Sequence, residues 1–93
     1  MPRVYKNSKN FDRVLDKLKR KDKTLFESLL GKMDEILMVS DIEHYKNLRY
    51  DMKDYKRTHI GSFVLVFRYD KKSDTVFFTD FEHHDKIYKK KYQ

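Results

Sequence analysis

The chain has 93 residues, enough for a single domain over residues 1–93 with one modest core. Its 39% hydrophobic and 15% aromatic content excludes a disordered chain despite 40% charge, and the net charge of +7 favours an acidic partner such as nucleic acid, a ribosome or an acidic protein segment. Cysteine is absent, the first ten residues lack the apolar run of a signal peptide and no apolar run is long enough to span a membrane, so a cytoplasmic protein without membrane attachment is expected.

In chain order, "RVYK" (3–6) reads as a short strand. Ser8 offers an N-cap for a helix whose apolar residues Phe11, Val14, Leu15 and Leu18 recur at i, i+3, i+4 and i+7. The charged "KRKDK" (19–23) interrupts that pattern. Thr24 and Glu27 then form a T-x-x-E capping box ahead of a second stripe, Phe26, Leu29, Leu30, Met33, Ile36 and Leu37. After Ser40 the period shifts towards two. "DYKRTHI" (54–60) alternates weakly, Gly61-Ser62 signals a turn, and "FVLVFRY" (63–69) has the make-up of a central strand buried on both faces. "DKKSD" (70–74) reads as a hairpin loop without the usual glycine, and "TVFFTDF" (75–81) as the returning strand. The closing "KIYKKKYQ" is expected to be too short and too charged to pack deeply.

The order β-α-α-β-β-β predicts an α+β domain. An N-terminal strand and an antiparallel helical hairpin precede a three-stranded antiparallel meander, with the helices on one face of a single-layer sheet. The other face is expected to stay open. Residues 44–93 hold twelve Lys/Arg against seven Asp/Glu, and residues 1–43 ten against eight, so the open face would lie in the more basic half. A binding surface is expected there.

The chain has four histidines, His44, His59, His83 and His84. His83, His84 and Asp85 are consecutive, a poor chelating pattern where neighbouring side chains diverge, and neither H-x3-H nor C-x2-C spacing occurs. No metal and no cofactor are expected. There is no glycine-rich phosphate cradle and no nucleophilic serine elbow. RNA cleavage by the neighbouring 2′-OH asks for less: a base for that proton, cations for the phosphate and an acid for the departing 5′-oxygen. Histidine suits either proton role. The candidates for proton transfer are His59, His83, His84, Asp85 and Tyr88. Those for phosphate binding are Lys56, Arg57, Arg68, Lys89 and Lys90. Each also has a plainer structural reading: a strand histidine at His59, solvent-facing positions at His83 and His84, a helix cap at Asp85, a packed ring at Tyr88 and a solvated tail beyond it.

The stretch "NLRYDMKDYKRTHIGSFVLVFRY" (47–69) has Leu-Arg ahead of a short loop, an aromatic followed by basic residues, then Gly-x-aromatic and an apolar strand. With the helical hairpin before it and the closing "EHHDKIY" (82–88), the chain resembles the RelE/ParE superfamily of toxins from toxin–antitoxin pairs. The resemblance spans nearly the whole chain, though its motifs are loose. It implies a ribosome-dependent endoribonuclease that cuts mRNA in the ribosomal A site and is neutralised by a cognate, partly acidic antitoxin that wraps the toxin. A ParE-like inhibitor of DNA gyrase, or a catalytically weak nucleic-acid binder, shares the fold.

Residue by residue, the resemblance implies an acid or base at His59, where the YafQ branch has a histidine in "CHI". It implies a functional histidine at His83 or His84 and the terminal tyrosine of RelE-type enzymes at Tyr88. Lys56, directly after Tyr55, resembles a Tyr-Lys pair on the RelE strand, with Arg57 as a charge-stabilising neighbour. One departure stands out. RelE-type enzymes commonly carry a phosphate-binding Arg after Gly-x-aromatic, and here that place holds Val64, closer to the YafQ strand "WVLIY".

Overall fold

The computed structural model describes residues 2–48 and 54–90. Strand β1 (Val4–Asn7) leads into helices α1 (Lys9–Lys21) and α2 (Lys23–Met38). A single 3-10 turn (Ile42–His44) precedes strands β2 (Tyr55–Ile60), β3 (Phe63–Asp70) and β4 (Thr75–His83), and the short helix α3 (His84–Ile87) ends the described chain. The sheet order is β1-β4-β3-β2. The three later strands pair antiparallel as expected, while β1 adds a parallel edge beside β4. This is the expected α+β architecture.

Ser8 caps α1 as its position predicts: its Oγ accepts from the Phe11 backbone N–H at 3.0 Å and donates to the Thr79 carbonyl at 2.7 Å. The second cap lies elsewhere. Helix α1 continues through Lys21, leaving Asp22 alone between the helices, and its carboxylate accepts from the Leu25 N–H at 3.1 Å. Thr24 therefore sits inside the first turn of α2 instead of capping it. Aspartate is at least as good a cap as threonine, and it comes first in the chain.

Between β2 and β3, Gly61 takes φ 59°, a conformation glycine reaches without steric cost. In the glycine-free loop before β4 the same duty falls to Asp74, at φ 50°. Aspartate is among the few other residues that tolerate it. The register of β3 with β4 shifts between Val66 and Phe67, which pair with Asp80 and Phe78, so Thr79 is the extra residue of a bulge.

The main core lies between the helices and the sheet. Phe11, Leu29, Met33 and Ile36 meet Leu65, Phe67, Val76, Phe78 and Phe81 there. β3 is buried on both faces, because Val64 and Val66 belong to a second cluster with Leu48, Tyr55 and Ile87. This changes the picture of an open sheet face and a loose tail. Ile87 is fully buried, Tyr88 packs against the same cluster, and α3 with Leu48 forms a small second cover. One isoleucine in a charged segment suffices because its position is pinned nearby: the His84 N–H donates to the Ser62 carbonyl at 2.9 Å.

Candidate functional site

β4 ends where the backbone turns from extended to helical. His83 still has extended dihedrals, φ −57° and ψ 143°, while His84 opens α3. On a regular strand these neighbours would point to opposite faces. The turn at His83 instead brings the two rings together, with centroids 4.7 Å apart at 74°. Asp85 faces both. Its Oδ1 lies 2.8 Å from His84 Nδ1 and its Oδ2 3.5 Å from His83 Nδ1. The Asp85 backbone N–H donates to His83 Nδ1 at 3.2 Å, and the His83 ring stands edge-on to Phe63 at 5.6 Å.

The cluster stays open to solvent, with side-chain exposures of 37% for His83, 47% for His84 and 73% for Asp85. A carboxylate on His84 Nδ1 favours the tautomer that keeps its proton there, which leaves Nε2 to exchange a proton with a substrate. The sequence shows these residues adjacent; their convergence depends on the dihedrals of one residue.

The other expected residues fall into two groups. His59 is exposed on β2, opposite Val64, while His83 is opposite Phe63 in the next row, so alternation sets the two histidines on opposite faces of the sheet. Among the described residues His59 makes no side-chain hydrogen bond or ion pair. Arg57, opposite Val66, shares the face of His59, and so does Arg68, whose guanidinium lies 4.4 Å from the Phe77 ring centroid. Tyr88 ends α3 and Lys89 is exposed beside it.

Lys56 and Lys90 are engaged within the fold. Lys56 alternates to the helix side, where its Nζ donates to the carbonyls of Glu43 at 3.2 Å and Tyr45 at 3.1 Å. Lys90 Nζ lies 2.8 Å from Asp80 Oδ2 and 3.8 Å from Glu82 Oε2.

Asp80 escaped the sequence reading. It is 1% exposed, and its Oδ1 also accepts from Asn10 Nδ2 at 2.9 Å and from the Phe81 N–H at 2.8 Å. A signal was available: an aspartate inside the apolar "TVFFTDF" is costly to bury unless it is paired. Val64, the place of the family's phosphate arginine by resemblance, is fully buried under α3.

Two concavities flank this region. A cleft of about 450 Å³ at the opposite end of β3 is lined by Lys56, Arg68 and Tyr69 with Glu43, Asp54 and Asp70, three carboxylates that disfavour an anion. A groove of about 240 Å³ runs between α1 and the ends of β3 and β4; Val14, Leu18, Phe63 and Phe81 line it with Lys17, Lys21 and Glu82. No helix of the described residues is long and apolar enough to cross a membrane. The residues before β2 numbered 49–53 and the last three, 91–93, lie outside the described chain, and with them part of the "NLRYDMKD" resemblance and of the lysine-rich tail.

No protein-family model matches the chain. It is 51% identical over 83 residues to a Methanocaldococcus jannaschii protein named "Putative toxin RelE4", covering 88% of this chain and 86% of that one. It is 46% identical over 78 residues to an uncharacterized protein of Methanosarcina mazei, covering 83% and 88%. Among solved structures, a free arginine double mutant of the E. coli toxin RelE superposes with TM-score 0.68 at 22% identity, over 96% of this chain and 93% of that one. The toxin–antitoxin complex RelBE2 of Mycobacterium tuberculosis gives 0.64 at 18%, covering 90% and 100%, and E. coli YafQ gives 0.61 at 14%, covering 92% and 98%. The structural likeness carries the fold, the identity to the archaeal relative carries the kinship, and the chain belongs to the RelE superfamily of toxins.

Proposed function

We propose that this chain is a ribosome-dependent mRNA endoribonuclease, a metal-independent toxin that stops translation. The observation that carries this reading is the exposed His84–Asp85 pair at 2.8 Å, with the His83 ring against it. One imidazole takes the proton of the 2′-OH as its oxygen bonds to phosphorus. The P–O5′ bond breaks, and a second proton donor protonates the departing oxygen. His84 oriented by Asp85, His83, His59 and Tyr88 are the groups available for those two transfers. Lys89, exposed beside Tyr88, is the cation for the phosphate at this end, with Arg57 serving the face of His59.

Neutralisation by a cognate antitoxin belongs to the same proposal. The groove between α1 and the β3–β4 ends has an apolar floor and Lys17 and Lys21 on its rim, which suits an acidic amphipathic segment. The complexes of RelBE2 and of E. coli RelE with an antitoxin peptide support such a partner. A short neighbouring gene is where to look for it.

One observation favours a second reading. Val64 is fully buried, so no cation can act from that position. A ParE-like inhibitor of DNA gyrase, or a weak nucleic-acid binder, would have no need of one.

The test is primer extension on mRNA held in programmed ribosomes, with wild type, His59→Ala and His84→Ala. Cuts at fixed codon positions with wild type are expected, falling at least a hundredfold in His84→Ala, in keeping with the size of general acid–base effects. Growth arrest on expression without any cuts would overturn the nuclease reading in favour of the gyrase target.

A further inference from the structure

We propose that His83, His84 and Asp85 also form a binding site for one divalent transition-metal ion of the zinc or nickel type. Three donor atoms, one from each side chain, lie within 4.8 Å of one another. Donors around a tetrahedral zinc, each at its usual bond length, stand about 3.3 Å apart, so the approach required is about 1.5 Å and falls to exposed side chains. Two anchors preset the group: Phe63 against the His83 ring, and the His84 N–H on the Ser62 carbonyl.

Two imidazoles with one carboxylate select zinc, nickel or copper over magnesium and calcium, which take oxygen ligands. Each imidazole binds through the ring nitrogen that faces Asp85, so at His84 the ion replaces the Nδ1–H bond to Asp85 and the ring keeps its proton on Nε2 instead, and water completes the coordination. The regular-strand argument against chelation by consecutive residues fails here because the chain changes conformation at His83. Binding itself is independent of the nuclease reading. Its consequence rests on that reading: the ion occupies the groups that would move protons, so metal and RNA cleavage exclude one another.

The experiment is calorimetric titration of the tag-free chain with zinc chloride, without RNA, for wild type, His84→Ala, Asp85→Asn and His44→Ala. His44 is exposed and lies outside the cluster. One ion per chain is expected, with affinity reduced at least tenfold in His84→Ala and Asp85→Asn and unchanged in His44→Ala. Saturating zinc should also raise the melting temperature of wild type and of His44→Ala, and raise that of both cluster variants distinctly less, because an ion bound only to the folded state stabilises it in proportion to its affinity. Equal affinity in all four proteins, or binding lost only with His44→Ala, would reduce the metal to surface capture by a single histidine and overturn the proposal. With no RNA present, that failure leaves the nuclease reading standing, and a failed cleavage assay leaves this one standing.

Discussion

The two faces of the sheet are covered in different ways. Helices of 13 and 16 residues close one face over a continuous apolar core. The other is closed by Ile87 of a four-residue helix and by Leu48, over Tyr55, Val64 and Val66. Long amphipathic helices secure their face by many contacts at once. A single helical turn has no stability of its own and stays only where packing holds it. His84, Asp85, Tyr88 and Lys89 belong to this thinner cover or its margin, while the His83 ring lies beside Phe63 on the helix side. The candidate cluster therefore rests mainly on the part held by fewer contacts, which is expected to open more easily.

The sharpest way to break this comparison is to cut a large side chain from each face. Phe78 is fully buried and stacks on Phe11 at 5.7 Å, with Tyr5 and Phe67 around it. Phe78→Ala should lower stability by about 3–5 kcal/mol, enough to unfold much of the protein, as urea denaturation would show. Ile87→Ala removes a fully buried residue from the thin cover. Its cost should be about 2 kcal/mol, the low end for such truncations, because α3 can shift to close the cavity. Hydrogen exchange should show protection lost around α3 and β2 while α1 and α2 keep theirs. If Ile87→Ala loosens both helices as much as Phe78→Ala does, the two faces form one cooperative unit and the distinction fails.

Within the thick cover, the two helices meet at a single residue. Asp22 alone ends α1, through its N–H on the Leu18 carbonyl at 2.8 Å, and caps α2 with its carboxylate. Asp22→Ala should cost about 1 kcal/mol by denaturation, whereas Thr24→Ala, at the place the motif suggested, should change little.

That contrast also marks how far the sequence could be read. The Ser8 cap, the stripe from Phe11 to Leu18 and the doubly buried "FVLVFRY" strand were legible because each is a local pattern matched to a local period. The capping box at Thr24 misled because the preceding helix runs three residues further into charge than its apolar stripe, leaving Asp22 as the joint. The cover by Ile87 was hidden for a different reason. One apolar residue among lysines has no period, and its burial depends on Val64 and Val66, more than twenty positions away in the chain. The candidate site was half legible. Its residue types stood out in "EHHDKIY", but a strand-to-helix change at His83 decides that they converge, and cross-strand register sets His59 apart from His83. Lys56 and Lys90 looked like free cations because composition does not reveal a partner, whether carbonyl groups across the turn or a buried aspartate ten residues earlier.

The smallest expected effect concerns the rim of the thick cover. The Tyr45 ring stands edge-on to Phe67 at 5.5 Å, and its hydroxyl donates to Glu35 Oε2 at 3.0 Å, a carboxylate that Lys32 also holds at 2.9 Å. Burial, followed by the bond to Glu35 and its negative charge, pushes the Tyr45 hydroxyl from an ordinary 10.0 up to about 12. Between those values the unfolded chain has released this proton and the folded chain still keeps it. The unfolded state thus binds fewer protons, and stability must fall as pH rises across that window, while below pH 10 the contribution is fully present. Tyr45→Phe keeps the ring against Phe67 and removes the hydroxyl. It should flatten the alkaline slope in urea denaturation between pH 10 and 12 and leave the histidine cluster, beside Phe63 at the start of β3, untouched. An unchanged slope would mean that the rim at Tyr45 adds no pH dependence to the thick cover, and that the alkaline loss comes from elsewhere, such as the Tyr69 hydroxyl held up by Asp74.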